Sequence, residues 1–104
     1  MKANQRTIPR KGSGDVFTDL GFSSAESHNL RLRSQMMTAL RKFIEREGLT
    51  QARAAKRLKV SQPRISDLMR GKISRFSLDA LVNMAVDAGL ELDFRIKRPS
   101  RRVA

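Results

Sequence analysis

The sequence predicts an all-α domain of four to five helices followed by one C-terminal β-strand, and three observations lead to this fold class. Apolar residues recur at steps of three and four between residues 24 and 88, as they do along one face of a helix. Ser, Thr and Gly stand at the ends of these segments, where helices begin and stop. After residue 89 the apolar period changes to two, which is the period of a strand.

The first long helix is predicted to run from residue 23 to residue 47. Ser23 and Glu26 have the spacing of a capping box, in which each side chain accepts a hydrogen bond from a backbone N–H of the first turn. Gly48 then ends the helix, because glycine readily takes the left-handed conformation. The apolar stripe consists of Leu30, Met36, Met37, Leu40, Phe43 and Ile44. Before this helix, residues 15–22 predict a short amphipathic turn that packs on the domain.

Two short helices with a tight turn between them come next. Thr50 caps the first helix, and Ser61 caps the second after a turn at residues 59–60. Pro63 is tolerated in the first turn because the N–H groups there have no partner within the helix. Gly71 ends the second short helix. The residues predicted to face the core are Ala54, Ala55, Leu58, Ile65, Leu68 and Met69.

A fourth helix is predicted over residues 78–88, with Ser77 as its cap. Beyond Gly89, apolar and charged residues alternate over residues 90–97, which predicts a strand with one apolar face. A lone strand leaves its ladder groups unpaired, so we expect it to pair with the same strand of a second subunit in a homodimer. The residues predicted to form this dimer contact are Leu90, Leu92, Phe94 and Ile96.

Charge and composition divide the chain into four parts. Lys and Arg number 22 against 10 Asp and Glu, and this net charge of +12 favours polyanionic partners. Residues 1–14 are basic, contain no acid before Asp15 and end in Gly-Ser-Gly, which predicts a disordered basic arm. Residues 15–89 form the predicted domain, residues 90–97 the strand, and residues 98–104 a basic tail.

The sequence lacks the residues that several classes of protein need for their function. There is no cysteine for a disulfide or a thiolate metal site, and His28 is the only histidine. Glu45 and Glu47 face different sides of one helix, without partners for acid–base chemistry. No apolar run reaches the length of a membrane span or of a signal-peptide core. We therefore expect a soluble cytoplasmic protein that is not an enzyme, holds no metal or cofactor and does not enter a membrane.

The basic charge is concentrated on the two short helices as well as on the ends of the chain. Residues 53–75 hold eight basic side chains and a single acidic one, Asp67. A short helix, a tight turn and a second short helix, with small residues inside and basic residues outside, form the arrangement that places the second helix in the major groove of DNA. The pattern predicts a helix-turn-helix unit at residues 50–71 with double-stranded DNA as its partner.

Residues 49–72, LTQARAAKRLKVSQPRISDLMRGK, resemble the helix-turn-helix of the phage-repressor-like XRE family. The elements that carry this resemblance are Thr-Gln, Ala-Ala, Val-Ser-Gln, Ile-Ser and Arg-Gly-Lys. The wider span of residues 16–89 resembles the antitoxin-like (HigA-like) branch of that family, which is found beside RelE/HigB-like toxins. The resemblance implies a phage-repressor-like bundle and a transcriptional repressor that acts as the antitoxin of a type II toxin–antitoxin pair and represses its own operon.

The resemblance also implies roles for individual residues. It places base-reading side chains at the start of the second short helix, where Gln and Arg can pair bidentately with adenine and guanine. The predicted base-reading residues are Ser61, Gln62, Pro63, Arg64, Ser66 and Asp67. The predicted phosphate contacts are Gln51, carried over from the family, and the basic residues Arg53, Lys56, Arg57, Arg70, Lys72 and Arg75. Pro63 departs from the family pattern of a small polar residue, so its contact can only be apolar.

Two alternatives to the antitoxin stay open at this point. One is a stand-alone XRE-type regulator without a toxin partner. The other is a protein–protein interaction module that has the fold but only non-specific, salt-sensitive affinity for DNA. The first would share the DNA-reading residues with the antitoxin, whereas in the second Arg64 would act as one basic charge among many.

Overall fold

The structure, a computed structural model, describes residues 16–98 and shows five α-helices in this part of the chain. They are α1 (Val16–Asp19), α2 (Ser24–Arg46), α3 (Gln51–Leu58), α4 (Gln62–Met69) and α5 (Leu78–Asp87), with a short 3-10 helix at Ile73–Arg75 between α4 and α5. The predicted all-α class with four to five helices is confirmed. The predicted arm at residues 1–14, residue 15 and residues 99–104 of the predicted tail lie outside the described residues.

Helices α2 to α5 each begin at a side-chain cap that the sequence predicts. The Ser23 hydroxyl accepts a hydrogen bond from the Glu26 N–H, and the Glu26 carboxylate accepts one from the Ser23 N–H, both at 3.1 Å. This is the predicted capping box, which satisfies two N–H groups that the helix leaves without partners. The hydroxyls of Thr50, Ser61 and Ser77 each accept the N–H three residues further along.

The turn between α3 and α4 depends on one strained residue. Lys59 has φ of 58° and ψ of 44°, and it is the single non-glycine residue with positive φ among those described. The Val60 N–H then donates to the Ala55 carbonyl at 3.0 Å, which closes the end of α3. The predicted tight turn at residues 59–60 is therefore confirmed, and it sets the angle at which α4 leaves α3.

The core forms where α2 crosses the shorter helices. Helix α2 packs against α5, α4 and the 3-10 helix, and α3 packs against α4 and α5. Phe76 is not among the residues predicted to face the core, although it is only 1% exposed. The buried apolar residues are Met37, Leu40, Phe43, Ile44, Ala54, Ala55, Leu58, Ile65, Leu68, Phe76, Leu81, Met84, Ala85 and Ala88.

Residues 90–97 form no strand in the described part of the chain, which differs from the sequence prediction. Leu90 packs against the core, but Phe94 is 83% exposed and Ile96 is 90% exposed. A strand is defined by its backbone hydrogen bonds to a neighbouring strand. The rest of residues 16–98 contains no second strand with which this segment could pair. The predicted dimer contact through this segment thus requires another chain.

Candidate nucleic-acid interface

Helix α4 turns its aliphatic side to the core and its polar first turn to solvent. Ile65 and Leu68 are completely buried, at 0% exposure. Ser61, Gln62 and Pro63, which cap and open the helix, are all exposed. The buried side holds the helix backbone in place while the first turn remains open to a large partner.

The start of α3 offers a second polar surface. The Thr50 hydroxyl accepts the Arg53 N–H at 3.2 Å, whereas the N–H groups of Gln51 and Ala52 come earlier and have no partner within the helix. These groups stand at the positive end of the helix dipole, where anions bind. Gln51 is exposed, so its amide can bind the same anion. Because Pro63 has no N–H, the start of α4 offers an anion one donor fewer than the start of α3 does.

The side chain of Arg64 makes two contacts within the protein, one with a backbone carbonyl and one with an aromatic ring. Its Nη1 donates a hydrogen bond to the carbonyl oxygen of Arg75 across 2.6 Å. Its guanidinium carbon lies 4.2 Å from the centre of the Phe76 ring, a cation–π distance. The side chain is half-buried, and this bond uses one of the five N–H donors of the guanidinium. The head of Arg64 is thus held at the edge of the exposed first turn.

A second contact between α4 and the 3-10 helix is the ion pair of Asp67 and Arg75. Nη1 of Arg75 lies 3.3 Å from a carboxylate oxygen of Asp67. The Asp67 side chain is 14% exposed, while that of Arg75 is 57% exposed. The structure therefore brings together three predicted site residues, Arg64, Asp67 and Arg75, in contacts that fasten α4 to the 3-10 helix. We call the hydrogen bond from Arg64 to the Arg75 carbonyl and the ion pair between Asp67 and Arg75 the α4 clasp.

Arg57 is directed to a different part of the molecule. Its Nη2 donates to the Ala88 carbonyl at 3.4 Å, and its guanidinium carbon lies 5.2 Å from the centre of the Phe43 ring. Next to it, the Lys59 ammonium lies 4.0 Å from Asp87. Both basic residues therefore meet the C-terminal end of α5, where a cation interacts favourably with the carbonyl end of the helix dipole.

The remaining predicted site residues divide by exposure. Arg53, Lys56 and Arg70 are exposed, as a phosphate contact requires. Ser66 and Lys72 are half-buried, one turn into α4 and just beyond its end. The exposed group is open to an anionic partner, whereas the half-buried pair is partly covered by the protein.

Two arginines of α2, which are not among the predicted site residues, hold the chain at and after the end of α4. Nη1 of Arg33 donates to the carbonyls of Ile73 at 3.2 Å and Phe76 at 2.9 Å. Nη1 of Arg41 donates to the carbonyl of Leu68 at 3.4 Å. These bonds bring side-chain donors to carbonyls at and after the end of α4, and two of these carbonyls, those of Leu68 and Ile73, also accept the backbone N–H groups of Gly71 and Phe76. No local pattern reveals them, because the partners are 27 to 43 residues apart in the chain.

Comparison with known proteins agrees with this geometry. The model of a family described as a helix-turn-helix domain matches residues 16–97. This chain belongs to that helix-turn-helix family. The helix-turn-helix protein is also similar to a solved structure assigned to the XRE family of transcriptional regulators, with 28% sequence identity and a TM-score of 0.68 over 76% of this chain and 89% of that chain. No curated protein matches it. The two matches support the XRE resemblance.

Residues 16–98 lack both a cluster of metal ligands and a membrane-spanning helix. These residues contain no group of His, Cys, Asp or Glu side chains that could hold a metal ion. Within the same range, no helix has both the length and the apolar character needed to cross a membrane. Glu45 and Glu47, the acids considered for catalysis, are both exposed around the end of α2.

Proposed function

We propose that this helix-turn-helix protein is a sequence-specific transcriptional repressor that inserts the first turn of α4 into the major groove of double-stranded DNA. The observation that carries the proposal is the two-sided character of α4. Ile65 and Leu68 are completely buried, whereas Ser61, Gln62 and Pro63 are exposed. A groove-reading helix needs this combination, because base contacts are specific only when the helix that makes them is rigidly placed.

Base reading is assigned first to Gln62 and Arg64. The exposed amide of Gln62 can pair with adenine through one donor and one acceptor. The Arg64 guanidinium has donors left for guanine after its bond to the Arg75 carbonyl, and that bond limits the rotamers that it explores. Ser61 and Pro63 complete the surface next to these two residues, and Ser66 and Asp67 lie deeper along α4.

Phosphate binding is assigned to the start of α3 and to the exposed basic residues. The Gln51 amide and the N–H groups of the α3 first turn can hold one phosphate. Arg53, Lys56 and Arg70 are exposed and add charge contacts that carry no sequence information. The predicted roles of Arg57 and Arg75 would use side chains that already contact Ala88 and Asp67, and Lys72 is half-buried.

The finer role that we propose is that of an antitoxin that represses its own operon. It is supported by the resemblance of residues 16–89 to antitoxin-like relatives, and it implies a small RelE/HigB-like toxin as a second partner. The experiment is co-expression with the neighbouring reading frame, followed by purification through a tag on this chain. A basic RNase-like neighbour that co-purifies at 1:1 would support the role, and an unrelated neighbour leaves the stand-alone regulator as the better description.

The repressor is proposed to act as a homodimer that pairs through residues 90–97. Three apolar side chains in this segment, Leu92, Phe94 and Ile96, are exposed in the single chain at 43%, 83% and 90%. Two-fold dimers of helix-turn-helix proteins bind two half-sites about one helical turn, roughly 34 Å, apart. A palindromic operator is therefore expected.

The test of sequence reading is selection of bound sequences from a random DNA pool at stated salt. Gln62→Ala should relax the preference at one position in each half-site, at about 1–3 kcal/mol for a lost bidentate contact. Asn83→Ala is the matched control, because Asn83 carries the same amide on the exposed side of α5. If the wild-type protein selects no motif while its affinity still falls with salt, the protein–protein module with non-specific DNA affinity is the correct alternative.

A further inference from the structure

We infer that residues 91–97 pair with the same segment of a second copy as an antiparallel two-stranded ribbon whose two-fold axis passes through Phe94. This inference rests on the dimer proposed above and adds its direction and register. The partner in this ribbon is a second copy of this chain. The evidence is the exposure of the segment in the single chain together with the order of its charges.

The apolar residues of the segment are the first part of the evidence. Leu90 packs against the core, and its N–H donates to the Ala85 carbonyl at 3.0 Å, so the segment leaves the helical body from a fixed point. Beyond that point Phe94 and Ile96 are 83% and 90% exposed. Val86, four residues before Leu90, is 57% exposed and offers apolar surface close in the chain to this exit point. An apolar ribbon face needs such surface to be stable.

The charges of the segment specify its direction. On the odd-numbered positions the two acids come first, Glu91 and Asp93, and the two bases follow, Arg95 and Lys97. In a parallel in-register pair each residue would face its own copy, and every charge would meet a like charge. In an antiparallel pair centred on Phe94, Glu91 faces the partner's Lys97 and Asp93 faces the partner's Arg95. Antiparallel pairing converts four repulsions into four attractions.

The same charges select one register among the antiparallel ones. A shift of the axis to residue 93 or 95 places that charged residue opposite its own copy. An axis at residue 92 pairs the two acids, and an axis at residue 96 pairs the two bases. Axes between residues would place apolar side chains opposite charged ones and mix the two faces. Over residues 91–97, only the axis at Phe94 keeps the apolar side chains opposite one another and pairs every charge with its opposite.

Cysteine cross-linking tests the register directly, because the chain has no cysteine of its own. In the full-length protein Phe94→Cys should form a disulfide-linked dimer under mild oxidation, since facing Cα atoms in an antiparallel pair are about 4.5–5.5 Å apart. Leu92→Cys alone should not, because its own copy lies about 13 Å along the ribbon. Leu92→Cys mixed with Ile96→Cys should cross-link. Equal cross-linking of Leu92→Cys and Phe94→Cys alone, or none by any variant, would overturn the register.

A charge swap gives an independent readout. Asp93→Arg and Arg95→Asp should each weaken dimerisation about tenfold by sedimentation equilibrium, because each places like charges opposite one another at two symmetric positions. The double variant, and an equimolar mixture of the single variants, should restore it. Glu45→Arg changes the net charge as Asp93→Arg does at an exposed site of α2, and it should leave dimerisation unchanged. No recovery in the double variant or the mixture would overturn the inference. Since these assays contain no DNA, failure here is separate from failure of sequence reading.

Discussion

The guanidinium of Arg64, in the first turn of α4, donates a hydrogen bond to the carbonyl oxygen of Arg75 across 2.6 Å. The side chain of Arg75 reaches back to Asp67 on the same helix at 3.3 Å. These contacts of the α4 clasp hold the proposed DNA-reading turn to the segment that follows the helix. The placement of α4 is thus determined by polar contacts at its exposed edge as well as by its buried aliphatic side.

We predict that Arg64→Ala reduces both the stability of the fold and the DNA preference at one base pair. The loss of the carbonyl bond and of the contact with the Phe76 ring should lower the free energy of unfolding by about 1–2 kcal/mol. Urea denaturation measures this change, and Arg53→Ala, which removes an exposed arginine, should stay within about 0.5 kcal/mol of the wild type. Equal stability of the two variants would contradict a structural contribution from the clasp.

Ser61→Asp should separate folding from DNA binding. Asp caps helices about as well as Ser, so the free energy of unfolding should change by no more than about 0.5 kcal/mol. The new carboxylate would lie at the proposed groove surface and repel phosphates, and we expect DNA affinity to fall about tenfold or more. Fluorescence anisotropy with labelled duplex measures the affinity. Ser61→Asn, which caps without charge, is the control, and equal binding by the Asp and Asn variants would place Ser61 away from DNA.

Lys56 and Arg57 are adjacent in sequence but should behave differently. Lys56→Ala should reduce the slope of log affinity against log salt by about 0.9, the value for one lost phosphate contact, with little change in stability. Arg57→Ala should leave that slope unchanged and lower the free energy of unfolding by about 1 kcal/mol, because Arg57 contacts Ala88 and Phe43. A reduced slope in Arg57→Ala would mean that its side chain turns to DNA in the complex.

Leu68→Ala should be among the most damaging substitutions in α4. Leu68 is completely buried, and removing its side chain leaves a cavity that costs about 2–5 kcal/mol. This is a large fraction of the roughly 5–15 kcal/mol by which small domains are stable. Thermal unfolding followed by circular dichroism measures the loss. Leu32→Ala removes the same atoms from a side chain that is 46% exposed in α2 and should cost much less; equal losses would contradict the anchoring role of Leu68.

Helix positions and caps were predictable from the sequence because they depend on residues only three or four apart. Ser23, Thr50, Ser61 and Ser77 accept the N–H groups that local spacing predicts. The inward side of α4 followed from the same short period, since Ile65 and Leu68 are one turn apart. Interactions within a single helical turn are sufficient to specify these features, and the tertiary fold is consistent with them.

The tertiary structure alone decided which groups the arginine side chains contact. The sequence predicted that Arg57 contacts a phosphate and that Arg64 reads a base. The fold directs Arg57 to the end of α5, Arg64 to the Arg75 carbonyl and the unselected Arg33 to carbonyls 40 and 43 residues away. A long flexible side chain takes its partner from whatever carbonyl or ring the fold brings near, and that proximity has no local sequence signal. By itself the sequence determined where the helices lie and which face of each is apolar, because helix periodicity and capping are local; the partners of the arginines required the packed chain.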